Sequence, residues 1–72
     1  MTSTREFRLD GQEFILLQSL LQLGGVCNTG GEAKILIVDG EVRVDDEVET
    51  RRGKKIRAGQ RVSCAGVTIE VS

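Results

Sequence analysis

Along this chain, changes in the spacing of apolar residues mark the elements. From Arg5 to Leu9 apolar and polar residues alternate, which predicts a short strand with Phe7 and Leu9 inward, following a frayed start at Met1 to Thr4. Asp10-Gly11-Gln12-Glu13 then has the spacing of a helix-capping sequence. The apolar residues after it recur at helical intervals as far as Leu23, where Gly24-Gly25 stops them. Phe14, Leu16, Leu17, Leu20, Leu21 and Leu23 make the expected buried face of this first helix. Ile15 falls on the polar side with Gln12, Gln18, Ser19 and Gln22, and is expected to touch the first strand at an edge.

A second helix is predicted from Thr29 to Val38. Thr29-Gly30-Gly31-Glu32 has capping-box spacing, with the Thr29 hydroxyl accepting from the Glu32 amide and the Glu32 carboxylate from the Thr29 amide; Gly40 provides the exit. Ala33, Ile35, Leu36, Ile37 and Val38 make the helix apolar nearly all round, so it should be wedged into the core. From Gly40 the period is two. Val42 and Val44 are expected inward, Glu41 and Arg43 outward, and Val48 inward after an Asp45-Asp46 turn. A second hairpin alternates Val62 and Cys64 with Arg61 and Ser63, turns at Ala65-Gly66, and returns through Val67, Ile69 and Val71. The expected fold class is α+β: two helices packed on a small antiparallel sheet, ending in a C-terminal hairpin.

Seventy-two residues make one domain with a single small core, too small for a catalytic cleft between subdomains. The chain has no histidine, and its two cysteines, Cys27 and Cys64, are far apart, so zinc lacks ligands and no thiol or serine has an evident activating base. Two free thiols are expected. With no signal peptide and no apolar run of spanning length, a reducing cytoplasm is the expected compartment. Gly25 to Gly30 has the glycine spacing of a nucleotide-binding loop, but Gly31 stands where that loop needs lysine and no strand leads in. Asp45, Asp46 and Glu47 read as a charged hairpin tip, since one turn supplies too few oxygens for a hard cation. No enzyme activity, cofactor, metal, membrane or small-molecule substrate is expected.

Charge alters this picture. The total is only −1, yet residues 1–50 hold four basic and ten acidic side chains, whereas residues 51–72 hold six basic and one acidic. Arg51, Arg52, Lys54, Lys55 and Arg57 place five cations within seven residues. The start of the second helix is a natural phosphate seat, with free amides, a positive dipole end, and Gly30 and Gly31 leaving its mouth clear of side chains. Lys34 sits beside it and Arg43 on the following strand. If these converge, they track a phosphate backbone. The only aromatic residues are Phe7 and Phe14, both in apolar patterns. Without a platform for stacking splayed bases, structured RNA is a better fit than a single strand.

Three segments carry a resemblance: Thr29-Gly30-Gly31-Glu32-Ala33-Lys34, Asp39-Gly40-Glu41-Val42-Arg43-Val44-Asp45, and Lys55-Ile56-Arg57-Ala58-Gly59-Gln60-Arg61-Val62. In order and spacing the chain from Phe14 to Cys64 resembles the alpha-L RNA-binding motif, the domain first described in the fourth small-subunit ribosomal protein. Val48-Glu49-Thr50-Arg51-Arg52, Ala58-Gly59-Gln60 and Ala65-Gly66 look like the small stand-alone bacterial members of the YbcJ type. The resemblance implies a non-catalytic binder of structured RNA, ribosomal or transfer RNA among the candidates, and a monomer is expected. Its RNA surface would fall at Thr29, Gly30, Gly31, Lys34, Arg43, Arg51, Arg52, Lys54 and Lys55, with Arg57 added from the basic run. Many family members have arginine at the position of Gly30 and asparagine at that of Asp45, which implies one missing phosphate contact and a carboxylate near the RNA. Two other classes compete. A protein-interaction adaptor would use the acidic half, while a ubiquitin-like sulfur carrier would need a C-terminal Gly-Gly where this chain has Val71-Ser72.

Overall fold

The computed structural model describes residues 3–72. Met1 and Thr2, half of the expected frayed start, lie outside the described residues; Ser3 and Thr4 already belong to a strand. In chain order the elements are β1 (Ser3–Phe7), β2 (Ile15–Leu16), α1 (Leu17–Leu23), α2 (Gly30–Val38), β3 (Arg43–Val44), β4 (Glu47–Val48), β5 (Lys55–Ile56), β6 (Arg61–Cys64) and β7 (Val67–Val71). One sheet has the order β1-β7-β6-β3-β4, and β2 and β5 form a separate two-stranded ladder. The sheet is mixed. Its β3, β4, β6 and β7 pairings are antiparallel as expected, but β1 joins β7 in parallel, and Leu9 N to Ser72 O (2.7 Å) and Ser72 N to Phe7 O (2.9 Å) extend that join.

The core is formed by Leu17, Leu20 and Leu21 of α1, Ala33 and Ile37 of α2, and Val42, Val44, Val62, Ile69 and Val71 from the sheet side, with Ile15 and Ile56 from the small ladder. Cys27 and Cys64 are buried free thiols, and burial is the main reason both titrate above their ordinary value. Among the described residues no helix is long and apolar enough to cross a membrane.

The first helix starts later than its capping pattern predicts. Asp10 and Gly11 take positive φ values of 51° and 92°, and Gln12 N donates to Leu9 O (3.1 Å), so this segment is a turn. Ile15 and Leu16 then run extended against Ile56 and Lys55. Tertiary pairing has overridden the local helical signal, and the inward and outward assignments move with it: Ile15 is buried, whereas Leu16 and Leu23 are 41% and 68% exposed.

The second helix begins as expected, with Thr29 Oγ1 accepting from Glu32 N (3.2 Å). The reciprocal contact differs, because the Glu32 carboxylate accepts from Asn28 N (3.5 Å) instead of from the Thr29 amide. At the other end Gly40 N donates to Ile37 O and Glu41 N to Leu36 O, a Schellman exit that needs the left-handed φ of 79° at Gly40. The helix is not wedged. It covers the core with one face, burying Ala33 and Ile37 and leaving Ile35 (60%) and Val38 (55%) exposed.

Val48 also points the other way from its expected direction. The two-residue turn at Asp45-Asp46, both with positive φ, pairs Val44 with Glu47 and Arg43 with Val48, so Val48 shares the outer face with Arg43.

One close approach fixes how α1 meets the sheet. A Cβ on Gly24 would lie 2.6 Å from Ile69 Cδ1 and 2.9 Å from Leu20 O, and Ile69 is itself fully packed. Gly24→Ala is expected to cost about 1 to 3 kcal/mol through overpacking. Gly53→Ala, at a site with nothing within 4 Å, should stay within about 0.5 kcal/mol of the parent. Equal urea midpoints for the two variants would show that α1 can move off the sheet without cost.

Candidate nucleic-acid interface

The start of α1 determines where the basic loop sits. Leu16 stands at the N-cap with no side-chain hydrogen bond to offer. The first helical amides donate to carbonyls of the loop instead: Leu17 N to Lys54 O (2.9 Å) and Gln18 N to Arg52 O (3.2 Å). Lys54 N in turn donates to Arg51 O (3.2 Å), which closes the turn Arg51-Arg52-Gly53-Lys54. The carbonyls of Arg52 and Lys54 thus face the helix, while that of Arg51 closes the turn.

Gln18 links that loop to the second helix. Its side-chain Nε2 donates to Gly30 O (3.2 Å) while its backbone amide holds Arg52. The start of α2 and the basic loop therefore meet on either side of one residue. The two glycines have different roles here: a Cβ on Gly30 would lie 2.8 Å from Gln18 Nε2, whereas a Cβ on Gly31 would meet only Thr29 Oγ1 at 3.8 Å. Gly31 leaves the helix mouth clear, as expected. At Gly30 the space is taken by the Gln18 side chain, and an arginine there would have to displace it.

The cations are held differently from one another. Arg51 is bound to Glu49 through Nε (3.1 Å) and Nη2 (3.3 Å), and its backbone amide donates to the same carboxylate (3.0 Å). The Arg51 hydrogen bonds hold the Glu49 carboxyl below its ordinary range and raise the guanidinium further. Lys55 Nζ lies 4.9 Å and Arg57 Cζ 5.7 Å from the centroid of the Phe14 ring, so one aromatic ring steadies two cations. Arg52, Lys54, Lys55, Arg57, Lys34 and Arg43 have no carboxylate within ion-pair distance among the described residues. Lys34 lies one turn into α2 and is exposed.

Arg43 is placed apart. Its cross-strand partners Ser63 and Val48 put it on the sheet face opposite the helices, so the α2 mouth and the loop converge through Gln18 but Arg43 flanks them from another side. Asp45 is less of an obstacle than its charge suggests. Its carboxylate accepts from Arg61 N (2.9 Å) and Gln60 Nε2 (3.2 Å), and Asp46 pairs with Arg61 (3.2 Å). Sequence reasoning missed Gln18, Glu49 and the role of Phe14. The visible signal for Gln18 was its place in the polar row of the first helix.

The described residues thus form a two-layer α+β unit in which the mouth of α2 lies beside cations without carboxylate partners, and this chain belongs to the S4 domain family, whose model matches residues 7–72. It is 46% identical over 65 residues to YbcJ of Escherichia coli (strain K12), covering 90% of this chain and 93% of that protein. It is also 41% identical over 54 residues, 75% of this chain and 76% of the other, to RlbA of Bacillus subtilis (strain 168), named as a probable ribosome maturation protein. The solution structure of YbcJ from E. coli, described as revealing an alfaL motif involved in RNA-binding, covers 99% of this chain at a TM-score of 0.75 and 44% identity, and 90% of its own chain. The motif resemblance carried by Thr29 to Lys34, Asp39 to Asp45 and Lys55 to Val62 thus identified the family, and the α+β class is that of the solved relative.

The Glu49–Arg51 pair gives a pH prediction. A carboxyl held low in the folded state contributes stability above its unfolded pKa and loses it as pH falls through the folded value. Arg51→Gln should therefore raise the pH at which the Glu49 side-chain carbon titrates by NMR. An unmoved Glu49 titration in that variant would mean that the pair does not persist in solution.

Proposed function

We propose that this protein binds structured RNA, ribosomal or transfer RNA being the first candidates, as a non-catalytic monomer in the cytoplasm that contacts the phosphate backbone. The observation that carries the reading is the junction at Gln18, which brings the α2 mouth and the cationic turn onto one surface. In this reading the amides after Thr29, at Gly31 in particular, take one phosphate. Arg51, Arg52, Lys54, Lys55 and Arg57 follow the backbone beyond it, Lys34 lines the helix side, Arg43 guards a flank, and Gly30 serves by holding α2 against α1. The names of the relatives support RNA as the polyanion and, in the case of RlbA, a role connected with ribosome maturation. Absence of histidine from the sequence supports binding without catalysis.

The adaptor reading has one observation of its own, the exposed apolar residues Ile35, Val38 and Val48. Salt dependence separates the two. Changing Arg52, Lys54 and Lys55 together to glutamine should lower affinity for every bound RNA by a similar factor and flatten the plot of log affinity against log salt by roughly 2 to 3, at about 0.7 to 0.9 per phosphate contact. Thermal melts should hardly change, because the loop carbonyls that cap α1 remain. Parallel salt slopes for variant and parent would make the adaptor reading the leading one.

Gly31→Asp tests the helix mouth. An acidic side chain in the first turn suits the helix dipole but repels phosphate, so RNA affinity should fall while the melting temperature holds or rises slightly. Unchanged affinity in a variant that melts cooperatively would move the phosphate seat elsewhere.

A further inference from the structure

Glu49 is an acidic residue within a surface read as binding a polyanion, and it is partly buried. Its side chain is 13% exposed against 74% for Arg51. Among the described residues all three hydrogen bonds to its carboxylate come from Arg51: the backbone amide and Nε donate to Oε2, and Nη2 donates to Oε1. A guanidinium carries five N–H donors in a rigid plane. Glu49 engages Nε and one hydrogen of Nη2, which leaves Nη1 and the second Nη2 hydrogen, the end of the fork, without another partner among the described residues. That end is the part suited to a bidentate phosphate contact.

The frame behind the fork is equally constrained. Arg51 O accepts from Lys54 N, and the carbonyls of Arg52 and Lys54 accept from the first amides of α1. Both the backbone and the guanidinium of Arg51 are therefore oriented before any ligand arrives.

We infer that Glu49 is a positioning residue for RNA binding: its carboxylate holds the side of the Arg51 guanidinium so that the end of the fork is presented to a backbone phosphate. This rests on the reading of the surface as an RNA site. The inference opposes plain electrostatics, which makes it testable by sign. Removing a carboxylate near a polyanion should strengthen binding by Coulomb attraction, whereas loss of a positioning residue leaves a long side chain to be ordered at the moment of binding and weakens it.

The experiment is a double-mutant cycle with a stable hairpin RNA, using the parent, Glu49→Met, Arg51→Gln and the double variant, each checked by a thermal melt. Glu49→Met keeps the length of the stem and removes the acceptors. Expected is a loss of roughly two- to tenfold in affinity for Glu49→Met, the cost of ordering one such side chain, and no loss from the same change in the Arg51→Gln background. Glu49→Gln, which retains one acceptor oxygen, should fall between parent and Glu49→Met, and it serves as the test if the methionine variant fails to fold. Unchanged or tighter binding by the Glu49 variants, or an equal loss in both backgrounds, overturns the positioning role alone. Failure of the parent to bind RNA overturns both this inference and the reading on which it rests.

Discussion

The helix α1 has no cap of its own, and the basic loop is its cap. Leu17 and Gln18 donate their amides to Lys54 O and Arg52 O, so the segment with the densest positive charge is also the one that satisfies the positive end of a core helix. The division of labour is by atom type. Carbonyls face inward and are required whatever the side chains are, while the side chains face outward and are free to serve a ligand. A loop held in this way tolerates changes in its surface chemistry without loss of the fold, because what the fold needs from it is main chain.

Features that depend on a few neighbouring residues were legible in the sequence. The Thr29 cap, the Gly40 exit and the two-residue turns at Asp45-Asp46 and Ala65-Gly66 each follow from local geometry and were found where expected. Features that depend on distant partners were not. The Asp10 capping pattern lost to the pairing of Ile15 and Leu16 with β5, which no local signal announces. The outward direction of Val48 could have been read, because a two-residue hairpin turn forces residue 48 to the face of residue 43. Ile35 and Val38 are exposed for another reason: apolar composition alone does not dictate burial, and a short helix lying on one side of a small sheet has only one face to cover.

Within the candidate site, sign of charge was a poor guide to role. Asp45 and Glu49 look misplaced beside a polyanion, yet Asp45 is occupied by the Arg61 amide and the Gln60 side chain, and Glu49 by Arg51. Neutral Gln18 does more to assemble the surface than any cation, since it touches both the loop and the second helix. A census of lysines and arginines locates such a surface roughly. The residues that give it shape are the ones that census ignores.

The parallel pairing of β1 with β7 has a mechanical consequence. Ser3 lies beside Val67 and Phe7 beside Val71, so Ser3 and Ser72 sit at opposite ends of two strands that run the same way. A pull between those residues acts along the strands and loads the hydrogen bonds of the ladder together, in shear. An antiparallel partner would have set the same two points at one end and let the bonds open singly, like a zip. The β1–β7 ladder is thus a clamp against stretching, on the edge of the sheet farthest from β4 and the loop that follows it.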